Sequence, residues 1–287
     1  MDHTARPYRS VLYIPGSKER ALKKARELPV DAIIFDLEDA VAAEEKVNAR
    51  ATLAAALAAG GFGDRAKIVR INGFDTDWAS DDVAALANSG ADAFLLPKVN
   101  NALDIKQLTD LLPKDIPVWA MMETPRGVIN AMEIAAHPRV TGFVAGTNDL
   151  AKDLGCRFRP DRLPLMTSLQ MLLLAARSQG VVCIDGVFNA FKDEHGLRSE
   201  CEQGRDLGFD GKTLIHPAQV AVANEVFAPS ADEVDLAQRQ IEAFEAAKAD
   251  GQGVAVVDGR IVENLHVATA RATLAKAAAI AALEMAQ

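Results

Sequence analysis

Two acidic residues stand just past short apolar runs, Glu123 after 117–122 and Asp149 after 142–145. If those runs are adjacent parallel strands, their ends lie about 4.8 Å apart. Two carboxylates so placed can converge on one divalent cation. Mg2+ takes a few carboxylate oxygens at about 2.0–2.1 Å and completes its octahedron with water or substrate oxygens. The same residue types also suit helix caps and salt bridges, and spacing leaves both readings open.

Arg70, at the end of another apolar run, carries a planar fork suited to a substrate carboxylate. It suits equally a buried ion pair with Glu38 or Asp39, and the two roles are compatible. Lys18, Lys23 and Lys24 stand where a first helix begins, as a phosphate contact or as a solvated basic face. The five histidines form no Ser/His/Asp spacing, and His216, ahead of Pro217, reads as mainly structural. Cys156, Cys183 and Cys201 are scattered without a Cys-x-x-Cys pair, which leaves zinc and redox motifs unsupported. The glycine-rich pieces match neither a P-loop nor a dinucleotide fingerprint.

These groups need a scaffold. Runs rich in Val, Ile, Leu and Phe at 10–14, 32–35, 67–71, 93–96, 117–122, 142–145, 181–184 and 211–215 read as strands buried on both faces. Helix-compatible segments at 19–28, 44–59, 79–89, 102–112, 130–136, 163–179 and 196–207 alternate with them, and another at 218–226 follows the last strand. Eight strand–helix units predict an α/β fold, a (β/α)8 TIM barrel whose active site lies at the carboxyl ends of the strands. A doubly wound sheet is the rival, since strand count does not prove closure. The carboxyl ends carry Asp36-Leu37-Glu38-Asp39, Arg70-Ile71-Asn72-Gly73, Pro97-Lys98, Glu123-Thr124-Pro125-Arg126-Gly127 and Gly146-Thr147-Asn148-Asp149. The opposite rim also bears charges, Asp31, Lys67, Asp92 and Asp210, so the rims differ in composition rather than in charge alone.

The barrel is complete by residue 228, and 229–287 forms an extension. It comprises a helix at 229–248 opened by a Ser230/Glu233 capping box, a short strand and turn at 254–259, and an Ala-rich helix at 265–285. A chain of 287 residues, 49% hydrophobic and 25% charged, builds a sizeable core without staples. Its net charge of −9 argues against general binding to nucleic acid or membrane surfaces. The start, Met1-Asp2-His3-Thr4-Ala5-Arg6, lacks the apolar core of a signal peptide. A soluble, cytoplasmic protein is expected.

The chain resembles the HpcH/HpaI aldolase and citrate lyase β-subunit superfamily, in its CitE-like branch. The resemblance rests on Ser10-Val11-Leu12-Tyr13-Ile14-Pro15-Gly16, Phe35-Asp36-Leu37-Glu38-Asp39-Ala40-Val41, Val69-Arg70-Ile71-Asn72-Gly73 and Leu96-Pro97-Lys98. It continues through Met122-Glu123-Thr124, Gly146-Thr147-Asn148-Asp149-Leu150 and Gly211-Lys212-Thr213-Leu214-Ile215-His216-Pro217, in family order. It implies a Mg2+-dependent (or Mn2+-dependent) barrel enzyme acting on acyl-coenzyme A thioesters of small hydroxy-diacids. Glu123 and Asp149 match the metal ligands. Arg70 matches the residue that holds the substrate's oxyanionic end, Asn148 lies beside the metal motif in the substrate site, and Glu38 and Asp39 match supporting acids. Tyr13, Lys18, Lys24 and Pro217 fall where relatives contact coenzyme A.

The resemblance further implies homotrimers or homohexamers in which the extension of one subunit caps its neighbour's site. The lyases carry a catalytic aspartate in that extension, whereas the matching stretch here, Gly259-Arg260-Ile261-Val262-Glu263, places Glu263 at that position. Within the superfamily, 146–152, 185–193 and 257–266 resemble the malyl-CoA lyase-like group, on its thioesterase side. The implied reaction is hydrolysis of (3S)-malyl-CoA to (S)-malate and free coenzyme A, with Glu263 as catalytic carboxylate. The alternatives are a lyase that splits malyl-CoA, β-methylmalyl-CoA or citramalyl-CoA at a C–C bond, and a scaffold or RNA-binding barrel without chemistry. A Glu263 that merely caps the final helix is also compatible with the sequence.

Overall fold

The computed structural model describes residues 6–286; the Met1–Ala5 start and Gln287 lie outside the described residues. Eight parallel strands close into a barrel in chain order: β1 (Ser10–Pro15), β2 (Ala32–Asp36), β3 (Ala66–Arg70), β4 (Ala93–Leu96), β5 (Val118–Met122), β6 (Val140–Ala145), β7 (Val182–Asp185) and β8 (Gly211–Leu214). Closure is made by β1 against β8, with Ser10 opposite Lys212 and Leu12 opposite Leu214. That pairing excludes the doubly wound alternative. Alternate residues, Val11, Ile34, Ile68, Leu95, Trp119 and Val144 among them, fill the interior. Their neighbours Leu12, Ile33, Phe35, Val69, Phe94 and Phe143 join the helices' Leu53, Ile105 and Leu172 in the outer layer. Burial on both faces is why the strands read as unbroken apolar runs.

The predicted helices are present with shifted ends. Two helices beyond those expected follow β5 and β6; the first begins just past Glu123, and the second carries Asn148 and Asp149. Pro125–Ile129 starts where Thr124 Oγ1 accepts from the Gly127 amide at 2.9 Å, with proline in the first turn. Thr147–Leu154 begins directly after β6 and ends at Gly155 in the left-handed region, φ 62°. Both are too short for a helical period to stand out in the sequence.

The four charges expected on the amino-terminal rim are all paired. Asp31 accepts from Arg9 Nε and Nη2 at 3.0 and 2.9 Å, Asp92 pairs with Lys67 at 3.4 Å, and Asp210 pairs with Arg177 at 2.9 Å. A buried ionic cluster ties β7 to β8. Lys212 Nζ donates to Asp185 Oδ2 at 3.1 Å and Glu200 Oε1 at 2.7 Å, and Arg162 Nη1 donates to both Asp185 oxygens at 2.7 and 2.8 Å. Burial opposes the charge on Asp185, but Lys212 and Arg162 hold its carboxyl below the usual range.

Residues 228–286 form a separate compact unit. Helices Ala231–Ala249 and Asn264–Met285 flank a hairpin of β9 (Ala255–Val257) and β10 (Arg260–Val262) around Phe244, Val257, Val262 and Val267. Ser230 and Glu233 form the expected capping box, at 3.1 and 2.7 Å. Asp258 and Gly259 both take positive φ, 49° and 74°, giving the tight two-residue hairpin turn. Only the first of these two strands is legible in the sequence. No helix among the described residues is long and apolar enough to cross a membrane.

Candidate active site

The carboxyl-terminal rim gathers five acids, Asp36, Glu38, Asp39, Glu123 and Asp149, around Arg70 and Lys98. Parallel pairing of β2 with β3 sets Asp36 directly beside Arg70. Arg70 donates from Nε to Asp36 Oδ1 at 2.8 Å and from Nη2 to Oδ2 at 2.6 Å, a bidentate fork. Its Nη1 lies 2.9 Å from Glu38 Oε2 and 3.4 Å from Asp39 Oδ2, and its guanidinium covers the Tyr13 ring at 4.9 Å. The expected ion pairing of Arg70 therefore holds, with a correction: its principal partner is Asp36. Only Nη1, beside the exposed Asp39, faces a partner that can be displaced. Burial opposes the charge on Arg70, but Asp36, Tyr13 and Glu38 keep the guanidinium charged. The Asp36 oxygens also accept from the amides of Glu38 at 2.8 Å and Ala40 at 3.0 Å, which folds the acidic loop back over the strand end.

Glu123 follows β5 and is 1% exposed. Its Oε1 accepts from the Lys98 amide at 2.7 Å. Gly146, after β6, packs against the other side of the same side chain. A Cβ there would collide with the Glu123 Cβ and stand 2.8 Å from Oε2. Burial pushes the Glu123 carboxyl up to about 8, and Glu38 and Asp149 add to the shift while the Lys98 amide and Arg70 oppose it. Asp149 lies in the first turn of Thr147–Leu154. Both acids line a cavity of about 500 Å³ with Lys98, Asn100 and Lys152. Asp149 also borders a second cavity of about 340 Å³, lined by Tyr13, Arg70 and Asn148. Asp149 thus borders both cavities, and Glu123 the larger one.

This donor set fits a hard divalent cation. Glu38 Oε2 is buried and accepts no hydrogen bond, although Arg70 Nη1 lies 2.9 Å away. Glu123 is a buried acid with too little positive charge nearby to hold its anion. No group of three or more His, Cys, Asp or Glu among the described residues is arranged to hold a metal. With two protein carboxylates, a cation at Glu123 and Asp149 would leave several positions for exogenous oxygens.

Asn148 exchanges amide hydrogen bonds with Asn189 at 3.2 and 2.8 Å, at the edge of the Arg70 cavity. Tyr13 lies inside the barrel mouth and donates from its hydroxyl to Met121 Sδ at 3.4 Å, its phenol pushed above the usual range by burial. That places Tyr13 beside Arg70 in the small cavity. Lys18 is exposed and pairs with Glu45 at 3.4 Å, Lys24 is exposed on the helix Glu19–Ala25, and Pro217 opens the turn Pro217–Gln219 after β8. None of these three lines either cavity of the acid pair. Glu263 is exposed in the separate C-terminal unit, where it stands at the cap of Asn264–Met285 and donates from its amide to His266 Nδ1 at 3.0 Å.

Three features escape sequence reasoning. Asp36, rather than Glu38 or Asp39, anchors Arg70. Lys98 takes a left-handed backbone, φ 53°, that turns its amide onto Glu123. Gly146 is required by close approach to Glu123, because its φ of −90° is open to any residue.

Residues 9–217 match the HpcH/HpaI aldolase/citrate lyase family. A protein of Cereibacter sphaeroides named (3S)-malyl-CoA thioesterase is 66% identical over 282 residues, which cover 98% of this chain and 99% of that protein. The citrate lyase subunit beta of Escherichia coli is 35% identical, over 95% of this chain and 94% of its own. Among solved structures, CitE from Mycobacterium tuberculosis in complex with magnesium, acetoacetate and coenzyme A superposes with a TM-score of 0.80 at 30% identity, covering 96% of this chain and 99% of that one. With a family match over most of its length and relatives of this identity along nearly all of it, the chain belongs to the HpcH/HpaI aldolase/citrate lyase family.

Proposed function

We propose that the protein is a Mg2+-dependent thioesterase that hydrolyses (3S)-malyl-CoA to (S)-malate and free coenzyme A. The observation that carries this reading is 66% identity, along 98% of the chain, to a protein bearing that activity in its name. The acid pair and cavities at the barrel mouth support it, as does the CitE relative with magnesium and coenzyme A in its title. Glu123 and Asp149 hold the ion, which when bound supplies a Lewis acid for the substrate's oxygens.

The chain's own residues do the rest. Arg70, fixed by Asp36, presents Nη1 to a substrate carboxylate that displaces the exposed Asp39. Tyr13 and Asn148 wall the acyl pocket, Lys18, Lys24 and Pro217 lie along the approach of coenzyme A, and Glu38 and Asp39 balance the charge. Water attacks the thioester carbonyl, the C–S bond breaks, and the sulfur leaves as the thiol while the acyl carbon becomes the second malate carboxylate. Glu263 of a neighbouring subunit takes the proton of that water and returns it to the departing sulfur. The chain acts as a homotrimer or homohexamer, with residues 229–287 of one copy capping the barrel of the next, and works in the cytoplasm.

The test is to incubate the protein with (3S)-malyl-CoA and Mg2+ and to measure malate, free thiol and glyoxylate separately. Equal malate and thiol without glyoxylate are expected. Glyoxylate formed with acetyl-CoA, and no thiol, overturns hydrolysis in favour of C–C cleavage.

A further inference from the structure

Lys98 is one of three non-glycine residues with positive φ among the described residues, and it alone of these borders the acid pair. The left-handed conformation is unfavourable for a residue with a Cβ and persists where its surroundings enforce it. Those surroundings centre on Asn100. Its Nδ2 donates to the Lys98 carbonyl at 2.9 Å, and its Oδ1 accepts from Thr124 Oγ1 at 2.8 Å. Its own carbonyl accepts from Asn130 Nδ2 at 2.8 Å, and its amide donates to Asp104 Oδ2 at 2.7 Å. Thr124, next to Glu123, in turn accepts from the Gly127 amide at 2.9 Å. A side chain at Gly127 would collide with the Val99 carbonyl, so the two loops touch backbone to backbone. Residues 97–101 and 123–130 are thereby stitched together, and the Lys98 amide is held on Glu123 Oε1 at 2.7 Å.

We propose that Asn100 is a positioning residue for the cation site. By holding the Lys98 carbonyl and bonding Thr124, it fixes Glu123 Oε1 with a backbone donor and leaves Oε2 free of that donor, in a residue that lines one cavity together with Asp149. This deepens the proposed function, since it rests on Glu123 being a metal ligand. Asn100 itself touches neither Glu123 nor Asp149, and it acts through the Lys98 amide. An amide donor on a charged acceptor is strong enough for its loss to change affinity about tenfold.

The experiment is Mg2+ titration of the substrate-free protein by calorimetry, with thermal melts of each variant. Asn100→Ala is expected to bind Mg2+ about tenfold more weakly while its melt shifts by only a few degrees. Adding Lys98→Gly, which makes the left-handed backbone favourable without the clamp, is expected to recover most of the lost affinity. If Asn100→Ala folds poorly, Asn100→Asp, which keeps the acceptor for Thr124 but loses the donor to Lys98, is the variant measured, with the same expected loss. Native affinity in the Asn100 variant overturns the proposal. So does a loss that Lys98→Gly leaves unchanged, because Asn100 would then be acting on stability alone. Absence of Mg2+ binding in the native protein overturns the metal reading itself, a separate outcome.

Discussion

Replacing Gly146 by alanine adds one methyl group and alters no ionisable residue. The backbone accepts it, since φ is −90° and ψ 74°. The added carbon would stand 2.8 Å from Glu123 Oε2, where ordinary contact begins near 3.4 Å, and closer still to the Glu123 Cβ. The carboxylate must withdraw by about 0.6 Å, whereas metal–oxygen distances tolerate about 0.2 Å. Displacements approaching 1 Å at a reacting centre cost on the order of 100-fold. A loss of at least tenfold in kcat/KM is therefore expected, about 1.4 kcal/mol or more in transition-state stabilisation. Overpacking adds about 1–3 kcal/mol of destabilisation, so activity is to be measured well below the midpoint of thermal unfolding. The assay is thiol release from malyl-CoA across a Mg2+ titration. Gly253→Ala, where an added Cβ meets nothing within 4 Å, is the control expected to match the native protein. Native activity with native Mg2+ half-saturation in Gly146→Ala would refute the idea that Gly146 sets the position of Glu123.

Three further outcomes follow from the same geometry. In the metal-free protein, Glu123 keeps its proton up to about 8 rather than near 4.5, so stability falls as pH climbs between those values, on the order of 5 kcal/mol in all. Mg2+, which binds the anion, should raise the melting temperature more at about pH 9 than at about pH 6. Glu123→Gln should abolish both the slope and the Mg2+ response, and a slope that persists in that variant would contradict the assignment. Asp185→Asn strips the buried Lys212 and Arg162 of their shared carboxylate and should cost about 3–5 kcal/mol in chemical denaturation; a loss below about 1 kcal/mol would show the cluster to be dispensable. Glu263→Gln should abolish malate release while the fold persists, and Glu263→Asp should shift product toward glyoxylate; near-normal hydrolysis by Glu263→Gln would leave Glu263 as a helix cap only.

Much of the architecture is legible without coordinates. Eight apolar runs separated by helical stretches specify eight strands buried on both faces, and the order of the runs puts Glu123 and Asp149 in the segments that follow neighbouring strands. Composition and periodicity are local properties, and burial on two faces leaves a local mark in every strand. The partner of Arg70 is another matter. Asp36, Glu38 and Asp39 are chemically alike within four residues, and the β2–β3 register alone gives the bidentate place to Asp36. The left-handed turn at Lys98 and the need for glycine at 146 are equally silent in the chain. Each depends on what lies across a gap of a few ångströms from a residue distant in sequence. Side-chain type states what a group is able to do. Distance, register and burial, which exist only once the barrel closes, decide which neighbour it does it with.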